Sequence, residues 1–223
     1  MKTLIAVPCM DTVQTRFFVS YSQMTKVGET ALAALQSSLI YDARNRLAQA
    51  ALDAGADRIL WLDSDMALPQ DLMERLSEDL DGGCEYVSAL IFRRVPPHSP
   101  VLFDTVDRRE EGGKLHIDAA GMTGWPVDRV FEIAGSGLGA CMMTVDLLRR
   151  VQEKYGLPFS PLIGFGEDLA FCWRARQLGA RLYCDSRVKP LHIGTAAYGE
   201  SDYLDRGREH NDSDRYGRTG DHR

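Results

Sequence analysis

The sequence predicts an α/β fold, a mostly parallel sheet with helices on both faces, and three observations predict it. Short aliphatic runs alternate with helix-length amphipathic stretches through the first 92 residues. Glycine, proline and acidic turn residues punctuate the joints between them. The composition is that of a globular protein: 223 residues, 44% hydrophobic, 26% charged, net charge −6 and pI near 5.4.

Thr3–Val7 is a β-branched and aliphatic strand stopped by Pro8. Residues 13–25 carry Val13, Phe17, Phe18, Tyr21 and Met24 at spacings of three and four, which predicts a helix. Glu29–Gln36 is divided, because its alanines favour a helix while its position suits a second strand. Asp42 reads as the N-cap of a helix over Ala43–Ala54, closed by Gly55. Arg58–Leu62 is a central buried strand followed at once by Asp63-Ser64-Asp65. Pro69 opens a helix to Leu80, Gly82-Gly83 ends it, and Tyr86–Phe92 is the next strand.

After Arg93 the texture changes. Pro96, Pro97, Pro100, the charge run Asp107–Glu111 and Gly112-Gly113 mark a long loop holding a hairpin, with Leu115–Ile117 and Val130–Ile133 as its strands. Gly135–Ala140 is a glycine-rich turn, Cys141–Val145 is apolar, and Asp146 starts a helix to Tyr155. A helix over Leu169–Leu178 follows Gly166-Glu167-Asp168, and Leu182–Cys184 is the final strand. From Gly199 onward the chain holds seven acids and five arginines with few large apolar residues. It therefore reads as a domain over residues 1–198 and a polar tail over 199–223, mobile or serving as a lid.

Several classes lose their anchors. No apolar stretch reaches membrane-spanning length, and the N-terminus reads as a strand rather than a secretion signal, so no stable membrane insertion is expected. The five cysteines are scattered without a CxxC pair, which fits neither a zinc knuckle nor a disulfide framework and suits the reducing cytoplasm. The net negative charge argues against a dedicated nucleic-acid binder. There is no G-x-S-x-G elbow, GK[ST] phosphate loop or H-E-x-x-H pair.

The candidate chemistry lies in a few places. Asp63-Ser64-Asp65 stands at the carboxyl end of a strand, where open α/β sheets bind ligands. Two carboxylates so spaced suit a hard divalent cation or a ribose hydroxyl, and equally a helix cap with a solvated neighbour. Glu167-Asp168 at a helix start is a dipole-favoured cap or a base for an attacking hydroxyl. His192 is a packing histidine or a ligand, depending on whether it reaches the Asp63-Ser64-Asp65 turn. Arg44, beside Asn45, and the pair Arg93-Arg94 are surface arginines or phosphate clamps. The glycines around Gly137 suit close backbone approach.

In this order the features resemble the GT-A glycosyltransferases, especially the small family-2-like enzymes of bacteria and their phages. The motifs are Ile5-Ala6-Val7-Pro8, Ala43-Arg44-Asn45, Leu60-Trp61-Leu62-Asp63-Ser64-Asp65-Met66 as the DXD motif, Phe92–Pro97, Gly135–Ala140, Gly166-Glu167-Asp168 with Trp173-Arg174-Ala175, and His192-Ile193-Gly194. The resemblance implies a GT-A, Rossmann-like, mixed and mostly parallel sheet. It implies a nucleotide-sugar-dependent transferase, a nucleoside-diphosphate sugar donor and a divalent cation, Mn²⁺ or Mg²⁺. Asp63, Asp65 and His192 would hold the metal. Pro8, Arg44, Asn45, Asp63, Ser64, Arg94 and Gly137 would contact the donor. Asp168, with Glu167 beside it, would be the general base of an inverting reaction. The acceptor is a saccharide or, in the minority view, a modified base in DNA met by Arg93, Arg94, Arg108 and Arg109. A catalytically idle sugar-nucleotide-binding module is the remaining alternative.

Overall fold

Strand β1 (Lys2–Cys9) is buried on both faces from Thr3 to Pro8, as a central strand must be. This is the computed structural model of the chain, and it describes residues 1–194 and 197–204. Pro8 does not stop β1. The ladder to the strand on one side ends at Ala6, so the missing N–H breaks no bond there, and the chain continues to Cys9. Helix α1 (Thr15–Gln23) lies inside the predicted stretch. The divided segment is strand β2 (Glu29–Gln36), paired in parallel with β1 along its whole length. A continuous ladder outweighs the helix propensity of its alanines. Helix α2 (Ile40–Asp53) starts before Asp42, which sits in the first turn with Leu39 at the cap. Gly55 closes it at φ +59°.

Strand β3 (Arg58–Leu62) is fully buried. It leads through the acidic turn to β4 (Met66–Ala67) and α3 (Leu72–Asp81), which begins three residues beyond Pro69. Strand β5 (Tyr86–Ala89) is shorter than predicted. The greatest departure follows. The charge run is not loop but part of β6 (Leu102–Glu111), which folds back on β7 (Lys114–Gly121). Gly112 and Gly113, at φ +59° and +73°, make the tight turn between them. Charged side chains are tolerated on both faces because none of Asp107–Glu111 is buried and β7 is exposed throughout. Strand β8 (Val130–Ile133) is thereby released from the hairpin and joins the edge of the main sheet.

The remaining elements are β9 (Gly135–Ser136), β10 (Ala140–Thr144), α4 (Val145–Tyr155), α5 (Glu167–Gln177), β11 (Leu182–Asp185), β12 (Leu191–Ile193) and β13 (Ala197–Tyr198). Helix α4 is capped by Thr144, whose hydroxyl accepts the Leu147 N–H at 3.2 Å, and not by Asp146. Helix α5 begins at Glu167, inside the acidic pair. Strand β11 is not the last.

The main sheet has seven strands in the order β2-β1-β3-β10-β5-β11-β8. Strand β10 runs between β3 and β5 antiparallel to both, and β8 is antiparallel to β11. The sheet is therefore mixed and mostly parallel. One face packs on α2, α4 and α5 through Leu47, Leu147, Leu148 and Phe171; the other packs on α1 and α3 through Phe17, Leu72 and Leu76. A small sheet, β13-β12-β4, sets His192 opposite Met66, one residue from Asp65. No helix among the described residues is long and apolar enough to cross a membrane. The polar tail begins within the folded body: residues 200–204 are helical, and the Tyr203 ring packs on Phe92 and Trp125. Its residues 205–223 lie outside the described residues.

Candidate active site

The acidic turn leaves β3 at the carboxyl end of the sheet and is pinned on both sides. Asp63 donates its N–H to the Gly139 carbonyl at 2.9 Å, and the Asp65 carbonyl accepts from Ile193 at 2.7 Å. The insertion of β10 beside β3 supplies the first bond, and the β4–β12 pairing the second. The two carboxylates then diverge. Asp63 Oδ1 accepts from Arg44 Nη2 at 2.8 Å. Asp65 Oδ2 accepts from Arg94 Nη1 at 2.8 Å and faces His192 Nε2 at 3.3 Å. His192 Nδ1 donates to the Phe92 carbonyl, 2.9 Å away, which fixes the ring with Nε2 toward Asp65. Burial opposes the charge on both residues. The mutual hydrogen bond, with Arg94 nearby, nevertheless holds the Asp65 pKa below the ordinary range, and the bonds to Asp65 and Phe92 hold that of His192 above it.

Arg44 is the buried centre of the site, 2% exposed. Its Nε reaches Glu167 Oε1 at 3.5 Å, its guanidinium lies 5.5 Å from the Trp61 ring, and its Nη1 has no hydrogen-bond partner among the described residues. Burial disfavours its charge, but Asp63, Glu167 and Asp168 outweigh that and push its pKa up. A guanidinium so enclosed is no open phosphate clamp; it joins the acidic turn to the start of α5. Asn45 departs from the expected donor contact. It points into the fold, where Oδ1 accepts the Phe159 N–H at 2.9 Å.

Glu167 and Asp168 form the first turn of α5 after Gly166. Asp168 Oδ1 accepts the Leu169 N–H at 2.7 Å. Burial and the neighbouring Glu167 charge raise the Asp168 pKa, against the Leu169 bond and Arg44. Such a shift is what burial beside a like charge does to a carboxylate.

Two cavities meet at the acidic turn. The inner one, about 190 Å³, is lined by Arg44, Asp63, Gly137, Gly139, Glu167, Asp168 and His192 over an apolar floor of Met66, Ile91 and Val101. The outer one, about 470 Å³, is lined by Pro8, the loop 9–12, Gln14, Ser37, Ser38, Ile40, the turn 63–65 and Arg94. Asp63 belongs to both. The structure thus gathers Pro8, Arg44, Asp63, Ser64, Asp65, Arg94, Gly137, Glu167, Asp168 and His192 around one connected region and leaves Asn45 out. Gly137 is required there by space: a Cβ would lie 2.9 Å from Val101 Cγ1 and 3.8 Å from Asp168 Oδ2. Sequence reasoning missed Ser37 and Ser38. They follow the carboxyl end of β2, so the rule that flagged Asp63 would have flagged them once β2 was read as a strand.

The donor set fits a divalent ion in part. Asp65 and an oriented His192 offer an oxygen and a nitrogen to one point, with Arg94 adding positive charge on the same carboxylate. Asp63 turns instead to Arg44, and no three ligating side chains among the described residues are grouped to hold a metal. An ion there would complete its shell with ligand oxygens and water, as Mg²⁺ commonly does. Of the arginines expected to face DNA, Arg109 pairs on the hairpin with Asp107 and Glu111, and Arg94 pairs with Asp65.

The arrangement defines a GT-A-type α/β protein with a carboxylate-lined cleft at the carboxyl ends of its parallel strands. Among solved structures, the chain is similar to A197 from STIV, with a TM-score of 0.60 at 18% identity over 87% of this chain and 86% of that one. It is also similar to residues 1–349 of S. aureus TarS, with a TM-score of 0.50 at 13% identity over 83% of this chain and 58% of that one. At these identities the likeness is one of fold. No family model matches the sequence, and no curated protein matches it.

Proposed function

We propose that this protein is a metal-dependent glycosyltransferase. It would move a sugar from a nucleoside-diphosphate sugar to an acceptor hydroxyl with inversion, in the cytoplasm. One observation carries the reading: Asp63, His192 and Asp168 line the same 190 Å³ cavity, and Asp63 is shared with the larger cavity beside it. The GT-A-type fold agrees with it.

In this reading the outer cavity takes the nucleotide and the inner one the sugar and acceptor. Asp65 and His192 would hold Mn²⁺ or Mg²⁺, which supplies Lewis-acid stabilisation of the leaving diphosphate. Arg94 adds a cation at the same edge. Asp168 takes the proton of the acceptor hydroxyl as its oxygen bonds the anomeric carbon and the nucleoside diphosphate departs. Its raised pKa makes it a better proton acceptor than an ordinary carboxylate. Arg44 limits that rise and keeps Glu167 and Asp63 in place.

The test is a thermal-shift and calorimetric screen of UDP-, GDP-, CMP- and dTDP-sugars with and without Mn²⁺, since a ligand of the folded state raises its stability. A metal-dependent shift by one donor class, lost in Asp65→Ala and kept in Asp168→Asn, is the expected result. Failure of every donor to bind would overturn the reading.

A further inference from the structure

The hairpin β6–β7 lines neither cavity at the acidic turn and leaves β7 with an open edge. Every residue from Lys114 to Gly121 is exposed, and β7 pairs only with β6 among the described residues. Because the turn is the two-glycine type, Glu111 and Lys114 form a hydrogen-bonded pair. The main chains of Lys114, His116 and Asp118 therefore face β6, and those of Leu115, Ile117 and Ala119 face outward. The strand has no proline and no bulge of its own to blunt that edge.

Its charges are unbalanced within one copy. Asp118 stands directly opposite Asp107 in the ladder, an unfavourable like-charge pair. Arg109 is committed to Asp107 and Glu111, and no salt bridge reaches Asp118 or Lys114 among the described residues. The apolar side of β7 already faces the body, since Ile117 lies against Gly164. Lys114, His116 and Asp118 share the solvent side.

We propose that β7 is the pairing edge for a second copy of this chain, joined antiparallel about a two-fold axis at His116. In that register Leu115 of each copy meets Ile117 of the other, and both residues have outward main chains, so the hydrogen bonds form without rearrangement. Lys114 of each copy meets Asp118 of the other on the solvent side, which supplies the cation that Asp118 lacks. The sequence is complementary to itself in charge and in apolar character. This inference rests on the hairpin alone and is independent of the chemistry proposed for the cleft.

Sedimentation velocity on the full chain across a wide concentration range tests it. A strand-edge contact is small, so reversible dimers with a Kd of about 1 µM to 1 mM are expected. Asp118→Lys and Lys114→Asp, both at exposed positions, should each weaken self-association by about tenfold or more. Mixing the two variants should restore it, because Lys meets Asp again at both contacts. Asp118→Lys should at the same time leave the monomer folded with an unchanged or raised Tm, since it removes the clash with Asp107. A protein that stays monomeric throughout, or a dimer indifferent to both variants and to their mixture, would overturn the proposal.

Discussion

Two clusters in this molecule are built alike and differ in access. In the cleft, Asp63, Glu167 and Asp168 surround buried Arg44; behind the sheet, Asp79 of α3 and Asp185 of β11 share Arg187 at 3.0 and 2.8 Å. Both hold more acid than base, and both raise an aspartate. Asp79 is pushed up to about 6, by burial first and then by the Asp185 charge, with Arg187 opposing. Yet the Asp79 and Asp185 side chains are 7% and 0% exposed, whereas Asp168 lines a cavity. A perturbed carboxylate follows from burial beside a like charge. It becomes chemistry only where a substrate can reach it.

The comparison is broken most sharply at Asp168. Asp168→Asn should lower turnover by about 10²- to 10⁴-fold with donor binding retained, measured by steady-state kinetics and calorimetry. Normal turnover by this variant would remove Asp168 from the base role. Next in size is Arg44→Met, which leaves three carboxylates without their buried cation. It should cost about 3–5 kcal/mol in urea unfolding and shift the acid limb of the activity profile upward, because Arg44 holds the Asp168 pKa down. For the wild type that limb should lie above the ordinary carboxylate range, activity rising with pH as Asp168 ionises.

The smallest effect belongs to the sealed cluster. A carboxyl whose folded-state pKa is raised binds its proton more tightly when folded. Its stabilisation is therefore present below the unfolded value of 3.8 and is lost as pH rises to about 6. Asp79→Asn should remove that dependence and raise stability near pH 7.5 by roughly 1–3 kcal/mol, with turnover unchanged. A loss of activity in Asp79→Asn would show that the sealed cluster acts on the cleft.

Much of this was legible in advance. The alternation of Thr3–Val7, Arg58–Leu62 and Tyr86–Ala89 with amphipathic helices gave an α/β sheet, because local hydrophobic periodicity records which face is buried. Asp63, Asp65 and Asp168 stood out because acids at strand ends and helix starts are marked by position. The hairpin was misread because the run Asp107–Glu111 is charged and none of its five residues is buried, so no alternation of apolar and polar side chains marks it as a strand. That Asn45 points away from the cleft was hidden for a related reason. Adjacency to Arg44 in sequence says nothing about direction, since neighbours on a helix point about 100° apart.

From its amino acids alone, then, the chain determined most of its helices and the central strands β1, β3 and β5, the acidic turn after β3 and the glycines that let backbone come close, all features set by residues near one another. The folded state decided what no local pattern encodes. It inserted β10 beside β3, brought His192 to Asp65 through the β4–β12 pairing, and buried Arg44 between two acids distant in sequence. Such choices depend on which long-range pairings close the sheet and satisfy buried charge together, and they exist only once the whole core has formed.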